Sequence, residues 1–312
     1  MSSNESIATT DLRRRFELVD QSTLNAEQVV RKNIGFWSDA WRRFRQNKVA
    51  MFFAAILLVL IVLAIFGPAI SGKDYITING MEKNIAPNSE YWFGTDNMGR
   101  DMFARSWVAL RTSLIIALVS AVIQLVIGCV YGAIMGSVGG VVDEVMMRIV
   151  EVFSCVPNLI LVTLLLVVFG NGYPQLLLAL SISSWTGTAR LVRGQVFKLR
   201  ESEYVMAATA LGGGRMHNIV KHLLPNTMGL LILEMAQAIP NVIFSETSLS
   251  FLGIGLQPPN FSLGSMLATG QSSMTFYPYQ LVIPCALLAL IVLSFNVIGD
   301  ALRDALDPQL RT

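Results

Sequence analysis

The side chains best suited to chemistry lie close to a run of glycines, Gly212–Gly214. His217 and His222 follow this run, but residues five apart point to different sides of a helix, which is poor spacing for a metal site. A glycine run can also cradle phosphate, yet the chain has no G-x-x-x-x-G-K-[ST] sequence. The sequence therefore predicts no catalytic residue and no metal, nucleotide or cofactor site in this chain.

Two acidic residues, Glu234 and Glu246, lie in the otherwise apolar stretch Thr227–Phe251. An acid at the bilayer centre costs about 2.5–3.5 kcal/mol on insertion scales, and such residues usually face the bundle interior or a water-filled path. Glu246 could line a path or contact a gate, or it could pair with a cation and be structural. Glu234 lies nearer one end, so we expect its carboxylate to extend toward the interface.

The composition of the chain indicates the kind of protein in which these two acids lie. The chain has 312 residues, of which 53% are hydrophobic and 14% charged, whereas about a quarter is charged in a soluble domain. A mean hydropathy of +0.56 predicts a multi-pass membrane protein. The formal charge of +2 gives no general attraction for nucleic acid. Cys129, Cys155 and Cys285 lie in apolar runs, without a disulfide or metal pattern.

The apolar runs predict an all-α fold with six transmembrane helices, since a bilayer core of about 30 Å needs about 20 apolar residues. Pro157 and Asn158 interrupt the third run, and we expect them to loosen that helix so that it lines a cavity. The six runs are Val49–Phe66, Thr112–Met135, Val152–Phe169, Gly170–Ala189, Thr227–Phe251 and Leu281–Gly299.

The basic residues predict the orientation of these helices. Most of the 23 lysines and arginines lie in the N-terminal leader, in the loop between the fourth and fifth runs, and in the tail. The positive-inside rule places that side, with both termini, in the cytoplasm. The first apolar run starts behind the charged leader, so we interpret it as an uncleaved anchor. The opposite side carries only Lys73, Lys83, Arg100, Arg105 and Arg111.

The same patterns divide the chain into four parts: 1–48, a cytoplasmic segment; 49–111, the first span and an extracellular loop; 112–300, a core that holds the other five spans; and 301–312, a cytoplasmic tail. Aromatic residues in the first part recur at helical spacing before a basic cluster, which predicts an amphipathic interfacial helix. The alternative is that they form the cytoplasmic end of the first span. The outer loop ends in a turn, where Thr95 or Asp96 could cap the next helix and Asp101 could pair with Arg105.

The loop between the fourth and fifth runs predicts a helical hairpin. Glu203–Leu211 is rich in good helix formers, the glycines break the helix, and Pro225 ends the second helix. That helix carries apolar residues at i, i+3, i+4 and i+7, and an exposed apolar stripe implies a partner. The alternative is that the stripe packs on its own bundle. The stripe is formed by Met216, Ile219, Val220 and Leu223.

The register of this hairpin resembles the Glu-Ala-Ala loop of ABC-importer permeases. The matching residues are Ala207, Ala208, Gly212, Leu224 and Pro225, while Met206 and His222 replace the usual Glu and Ile. In that family the hairpin docks into a groove on the ATPase subunit. The resemblance therefore implies a coupling site that comprises Ala207, Ala208, Leu211, Gly212, Met216, Ile219, Val220, Leu223 and Pro225.

Other segments narrow the resemblance to the dipeptide, oligopeptide and nickel branch of these permeases, and the length and short tail are similar to its oligopeptide-permease C type. The candidates for a path or gate are Glu246, Arg190, Arg193 and Asn158, although positive-inside topology alone accounts for the two arginines. The matching segments are Phe93–Asp96 with Gly99–Asp101, Met146–Arg148, Ala189–Arg190 with Val192–Gln195, His222–Asn226, Glu246 with Leu249–Gly255, and Gly299–Asp300 with Leu302–Pro308.

The resemblance implies a type I importer permease in a bacterial cytoplasmic membrane, translocating oligopeptides or dipeptides. A second homologous permease, two ATPase subunits and an extracellular substrate-binding lipoprotein would be its partners. ATP and Mg²⁺ would bind the ATPase subunits, so this chain would not be an enzyme. Nickel or another small solute is the alternative substrate. A secondary transporter is a remote alternative, because the sequence shows no inverted repeat.

Overall fold

A computed structural model of the chain describes residues 35–219, 221 and 224–306. The chain groups into two units, Met1–Asp39 and Ala40–Thr312. Only residues 35–39 of the first unit are described, and a helix begins there. In its described part the second unit has helices as its only extended regular elements, with a single isolated bridge between Thr95 and Asp101. The predicted all-α fold is confirmed.

The described helices follow one another through mostly short connections, apart from one long loop between the second and third helices. That loop contains a 3₁₀ turn, Gly80–Glu82. The helices are α1 (Phe36–Gln46), α2 (Lys48–Ser71), α3 (Met102–Val138), α4 (Gly140–Cys155), α5 (Asn158–Phe169), α6 (Tyr173–Arg200), α7 (Glu203–Ala210), α8 (Arg215–Asn218), α9 (Leu224–Phe251), α10 (Leu263–Ser273) and α11 (Tyr279–Leu306).

The described part contains fewer clear spans than the six predicted. Four helices are long and apolar enough to cross a membrane: Lys48–Ser71, Met102–Val138, Pro225–Phe251 and Tyr279–Leu306. α4 and α5 qualify only as a pair, which makes five spans at most by this measure. α6 has 28 residues, which is enough to cross a bilayer. Its polar and charged residues lower its hydropathy, so it is not among the four apolar helices.

The predicted interruption of the third run at Pro157 and Asn158 is confirmed, since α4 and α5 meet there at a bend of 90°. Val156 ends α4 with φ −87° and ψ 125°, an extended conformation. Pro157 imposes that conformation on the residue before it, because its ring clashes with a helical neighbour. α5 then starts at Asn158.

The predicted N-terminal helix is present as α1. Ala40 and Phe44 are buried on one side, and Trp41 is 59% exposed. Phe44 packs with Ala50 of α2 and with Ala301 of α11. The side chain of Asn47 begins α2 by accepting hydrogen bonds from the amides of residues 49 and 50, both at 3.1 Å, which satisfies donors left free at a helix start.

The third helix begins earlier than predicted, because Asp101 caps it. The Asp101 carboxylate accepts hydrogen bonds from the amides of Phe103, at 3.4 Å, and Ala104, at 2.9 Å. The expectation that Thr95 or Asp96 caps this helix is therefore wrong. The helix predicted to follow the turn of the outer loop and the second predicted span form one helix of 37 residues, Met102–Val138.

Asp96 instead organises the turn before α3. Its carboxylate pairs with Arg100 at 2.7 Å and with Arg105 at 3.5 Å. The predicted ion pair between Asp101 and Arg105 is wrong, because Arg105 pairs with Asp96 instead. Its guanidinium also donates to the carbonyl of Tyr75 at 2.9 Å. Asp96 and Arg105 are both buried, so this part of the outer loop belongs to the folded core.

The start of α11 fastens the outer loop to the bundle. The Tyr279 hydroxyl lies 2.9 Å from the carbonyl oxygens of Ile85 and Thr95. The Gln280 amide donates to Asn84 at 2.9 Å and to the Thr95 carbonyl at 3.0 Å. Two neighbouring side chains thus hold two separate turns of the loop.

α3 and α6 pack closely along a stripe of glycines on α3. Gly128, Gly132 and Gly136 recur every four residues, which places them on one helix face. A Cβ atom on Gly128 would lie 2.6 Å from Thr188, and one on Gly136 would lie 2.7 Å from Val196. A Cβ on Gly132 would overlap the α6 backbone. Small residues at such spacing let two membrane helices approach closely.

We predict that Gly132→Ala destabilises the protein by about 1–3 kcal/mol, the usual effect of overpacking a close interface. Gly194→Ala is the matched control, because Gly194 also lies in a helix but has no neighbouring atom within 4 Å of the place where a Cβ would lie. Thermal unfolding in detergent should show a lower Tm for Gly132→Ala and no loss for Gly194→Ala. Equal Tm values for the two variants would contradict the close packing.

Candidate functional site

A polar cavity of about 430 Å³ opens between helices that the sequence predicts to lie in the membrane. It is formed by α3, α5, α6 and α9. Its size falls within the range of ligand pockets, about 300–1,000 Å³. Its polar lining comprises Gln124, Asn158, Ser184, Glu234, Gln237, Asn241 and Ser245.

α9 contributes most of this lining as a stripe along one face. Glu234, Gln237, Asn241 and Ser245 are spaced by three, four and four residues, the spacing of one side of a helix. Gln237 and Asn241 are exposed. Exposed polar side chains at membrane depth are found where they line a water-filled space or meet another protein, since lipid offers them no hydrogen bonds.

Glu234 lies in this cavity and does not merely extend toward the interface. Its carboxylate accepts a hydrogen bond from the Thr188 hydroxyl of α6 at 3.2 Å. Gln124 faces the same cavity from α3 and is only 4% exposed. Its side-chain oxygen has no hydrogen-bond partner in the described part of the chain.

Glu246 lies outside the cavity and is fully buried. It accepts hydrogen bonds from Ser113 of α3 at 3.0 Å and from Ser250 one turn further on at 2.7 Å. Ser262, which caps α10, donates to Ser250 at 3.3 Å. The carboxylate thus joins α3, α9 and the start of α10, an arrangement that supports the structural interpretation.

The two arginines proposed for a gate lie on the part of α6 that packs against α4. Arg193 binds Asp143 of α4 through two donors, with Nη2 2.5 Å from Oδ2. Arg190 donates to the Ser154 hydroxyl of α4. These contacts brace α4 against α6. Of the four candidates for a path or gate, only Asn158 lies in the cavity.

The hairpin contains the predicted first helix and glycine break. α7 ends at Ala210, and Gly212 has φ +91°, a conformation that favours glycine because it has no Cβ. The Gly213 amide donates to the Ala208 carbonyl at 2.9 Å. The short helix α8 follows, and Asn218 in it donates to the Thr209 hydroxyl of α7 at 2.9 Å. This bond fastens the two arms together.

Among the described side chains of the hairpin, the strongly exposed apolar ones are on its first arm and turn. Leu211 is 90% exposed and Met206 is 54% exposed. Ile219 is only 8% exposed and packs with Val205 and Val196. The expectation that Ile219 lies on an exposed stripe is therefore wrong, and this residue packs on the bundle, as the alternative expected.

Several residues of the predicted coupling site have no described side chain. Val220 and Leu223 lie outside the described residues, as does His222, and nothing is described of the Met216 side chain. Ala207 is exposed and Ala208 half-buried. Pro225 is exposed in the first turn of α9, a position that suits proline because no helical partner is needed there.

The cavity shows what sequence reasoning missed. The polar spacing on α9 was a signal in the sequence, because Glu234, Gln237, Asn241 and Ser245 share one face. Gln124 and Ser184 are single polar residues in separate runs, and no local pattern indicates that they meet. Their assembly depends on how α3 and α6 pack.

A multi-pass helical bundle with a polar cavity and a glycine-broken hairpin defines a membrane transport subunit. The chain belongs to the family of binding-protein-dependent transport system inner membrane components, whose profile matches residues 128–312. A second profile, the N-terminal TM domain of oligopeptide transport permease C, matches residues 35–87.

Individual relatives cover nearly the whole chain. The chain is 42% identical to the oligopeptide transport system permease protein OppC of Bacillus subtilis, over 95% of this chain and 97% of that protein. It is 41% identical to the dipeptide transport system permease protein DppC of the same species, over 95% of this chain and 93% of that protein. It is 37% identical to the glutathione transport system permease protein GsiD of Shigella flexneri, over 96% of this chain and 99% of that protein.

The serine contacts of Glu246 generate a stability prediction. Glu246→Gln keeps one oxygen that can accept a hydrogen bond from Ser113 or Ser250. Glu246→Ala removes the acceptor of both hydroxyls, and a buried unsatisfied group costs about 1–3 kcal/mol. Thermal unfolding in detergent should therefore rank wild type above Glu246→Gln, and Glu246→Gln above Glu246→Ala. Equal destabilisation by the two variants would show that the charge, and not the acceptor, is what the site needs.

Proposed function

We propose that this chain is the permease subunit of an ABC importer that carries short peptides across a bacterial cytoplasmic membrane. The observation that carries the proposal is the polar face of α9, exposed within a membrane span. Gln237 and Asn241 on that face have no favourable contact to make with lipid. A path for a hydrophilic solute explains why they lie there.

The cavity is one side of that path. Its lining includes the exposed residues Asn158, Gln237 and Asn241, so the space remains open to the outside of this subunit. A second, homologous permease would close it and complete the path at their shared interface. The apolar residues that α5 exposes, Ile160, Leu164 and Val167, face either that partner or lipid.

The hairpin is the proposed contact with an ATPase subunit. Leu211, the most exposed apolar residue of the turn, and Met206 form an apolar surface that a partner can bury. The opposite arm is held to the bundle by Ile219, so force applied at the turn would reach α3, α6 and α9. ATP and Mg²⁺ would bind the two ATPase subunits, which supports a transport role without catalysis for this chain.

The proposed topology follows from the basic residues. Arg190, Arg193, Lys198 and Arg200 lie on α6 near the hairpin, and their excess supports a cytoplasmic location for the hairpin and both termini. The loop fastened by Tyr279 and Gln280 would then lie outside. A substrate-binding lipoprotein would dock on that side and deliver the substrate.

The relatives support peptides as the substrate, because they are named as permeases for oligopeptides, dipeptides and glutathione. We predict uptake of labelled di- and oligopeptides, but not of Ni²⁺, by proteoliposomes that hold the complete complex with its binding protein. Uptake of Ni²⁺ without peptide uptake would overturn the substrate assignment and leave the permease role intact.

The coupling role of the hairpin generates a second prediction. Gly212→Val strains the backbone at φ +91°, and Leu211→Glu places a charge on the apolar contact without backbone strain. Both should lower peptide uptake per ATP hydrolysed by at least about tenfold, since losing a well-packed contact costs about 1.4 kcal/mol or more. Uptake and ATPase activity are measured on the same proteoliposomes.

Gly170→Val is the matched control for Gly212→Val. Gly170 has φ +90° and, like Gly212, no neighbour within 4 Å of an added Cβ, but it lies between α5 and α6. The control should keep the ratio of uptake to hydrolysis. An unchanged ratio in both Gly212→Val and Leu211→Glu would refute the coupling role.

A further inference from the structure

The cavity presents hydrogen-bond acceptors that lack donors. The Gln124 side-chain oxygen is buried and unpartnered within the described residues. Glu234 receives one hydrogen bond, from Thr188, although an ionised carboxylate has about four acceptor sites. A ligand in the cavity that supplies N–H donors would satisfy the open acceptor sites of Glu234.

The carboxylate also lacks a cation. Among the described residues, no lysine or arginine nitrogen is paired with Glu234 in a salt bridge. The side chains that face it from the surrounding helices are neutral: Gln124 on α3, Asn158 on α5, and Ser184 and Thr188 on α6. Glu234 is thus the one charged group among the residues that line this cavity.

We propose that Glu234 binds the α-ammonium group of a peptide in transit. This inference rests on the proposed function, since it assumes a peptide substrate. Every peptide with a free amino terminus carries that cation, whatever its sequence. A carboxylate that replaces part of the lost hydration lowers the barrier to its entry into the membrane.

The site suits transport, which needs binding weak enough for release. A single charged contact favours entry of the ammonium group but still lets it leave, as any transport site requires. The remaining polar lining consists of neutral amides and hydroxyls, which contact peptide groups without selecting a side chain. The amino terminus is therefore recognised while the peptide sequence is not.

The test compares a peptide with its N-acetylated twin, which has the same sequence without the terminal charge. Initial uptake of both is measured in proteoliposomes with the complete complex and one preparation of binding protein. The preference of the binding protein cancels when the uptake ratio, free over acetylated, is compared between wild type and Glu234→Gln. We expect that ratio to fall about tenfold, because hydrogen bonds to charged groups are the strong ones.

Two further variants control the comparison. Glu234→Asp keeps the carboxylate and should retain part of the preference. Glu144→Gln makes the same chemical change at an exposed position on α4, outside the cavity, and should leave the ratio unchanged. Binding of both peptides to the assembled complex in detergent, without binding protein, gives a second measure that does not depend on loading.

The outcomes separate this inference from the proposed function. A fall in uptake of both peptides by the same factor in Glu234→Gln would show that Glu234 serves assembly or gating, and would overturn the inference. An unchanged ratio with normal uptake would also overturn it. Neither result affects the peptide assignment, which fails only if the wild-type complex carries no peptide.

Discussion

Hydrocarbon offers no hydrogen bonds, so each polar side chain in a membrane helix needs a partner in the protein or a water-filled space. The structure of this permease depends on how that requirement is met along α9. At Glu246 it is met by serines, whose hydroxyls come from α3 and from the next turn of α9. Buried and bonded in this way, the carboxylate fastens helices together.

The same requirement is met differently at Glu234, three turns earlier on α9. One hydroxyl reaches its carboxylate, and the rest of its surroundings are the polar lining of a cavity. We propose that these two acids of the same type in one helix have different roles, one structural and one available to a substrate. The difference lies in their neighbours: serines around one, and an open space beside the other.

Close helix packing makes both arrangements possible. The glycines of α3 let α6 pack closely against α3, and Thr188 of α6 contacts Glu234 of α9. The bend at Pro157 turns α5 so that Asn158 faces the cavity. The hairpin is joined to this unit through Ile219, which packs with Val196 of α6. A displacement of the exposed turn at Leu211 would therefore be transmitted to the helices that line the cavity.

Much of this protein follows from its sequence alone. The apolar runs predict membrane helices, the glycine run predicts the hairpin break, and the register around Gly212 is sufficient to indicate the permease family. These features are local, because they depend on hydropathy, backbone preference and spacing within one segment. The tertiary structure decided which residues meet: Arg105 with Asp96 and not Asp101, Ile219 with the bundle, and Gln124 with the cavity of Glu234. Helical periodicity specifies the face on which a side chain lies, but its neighbour is set by the packing of helices far apart in the chain.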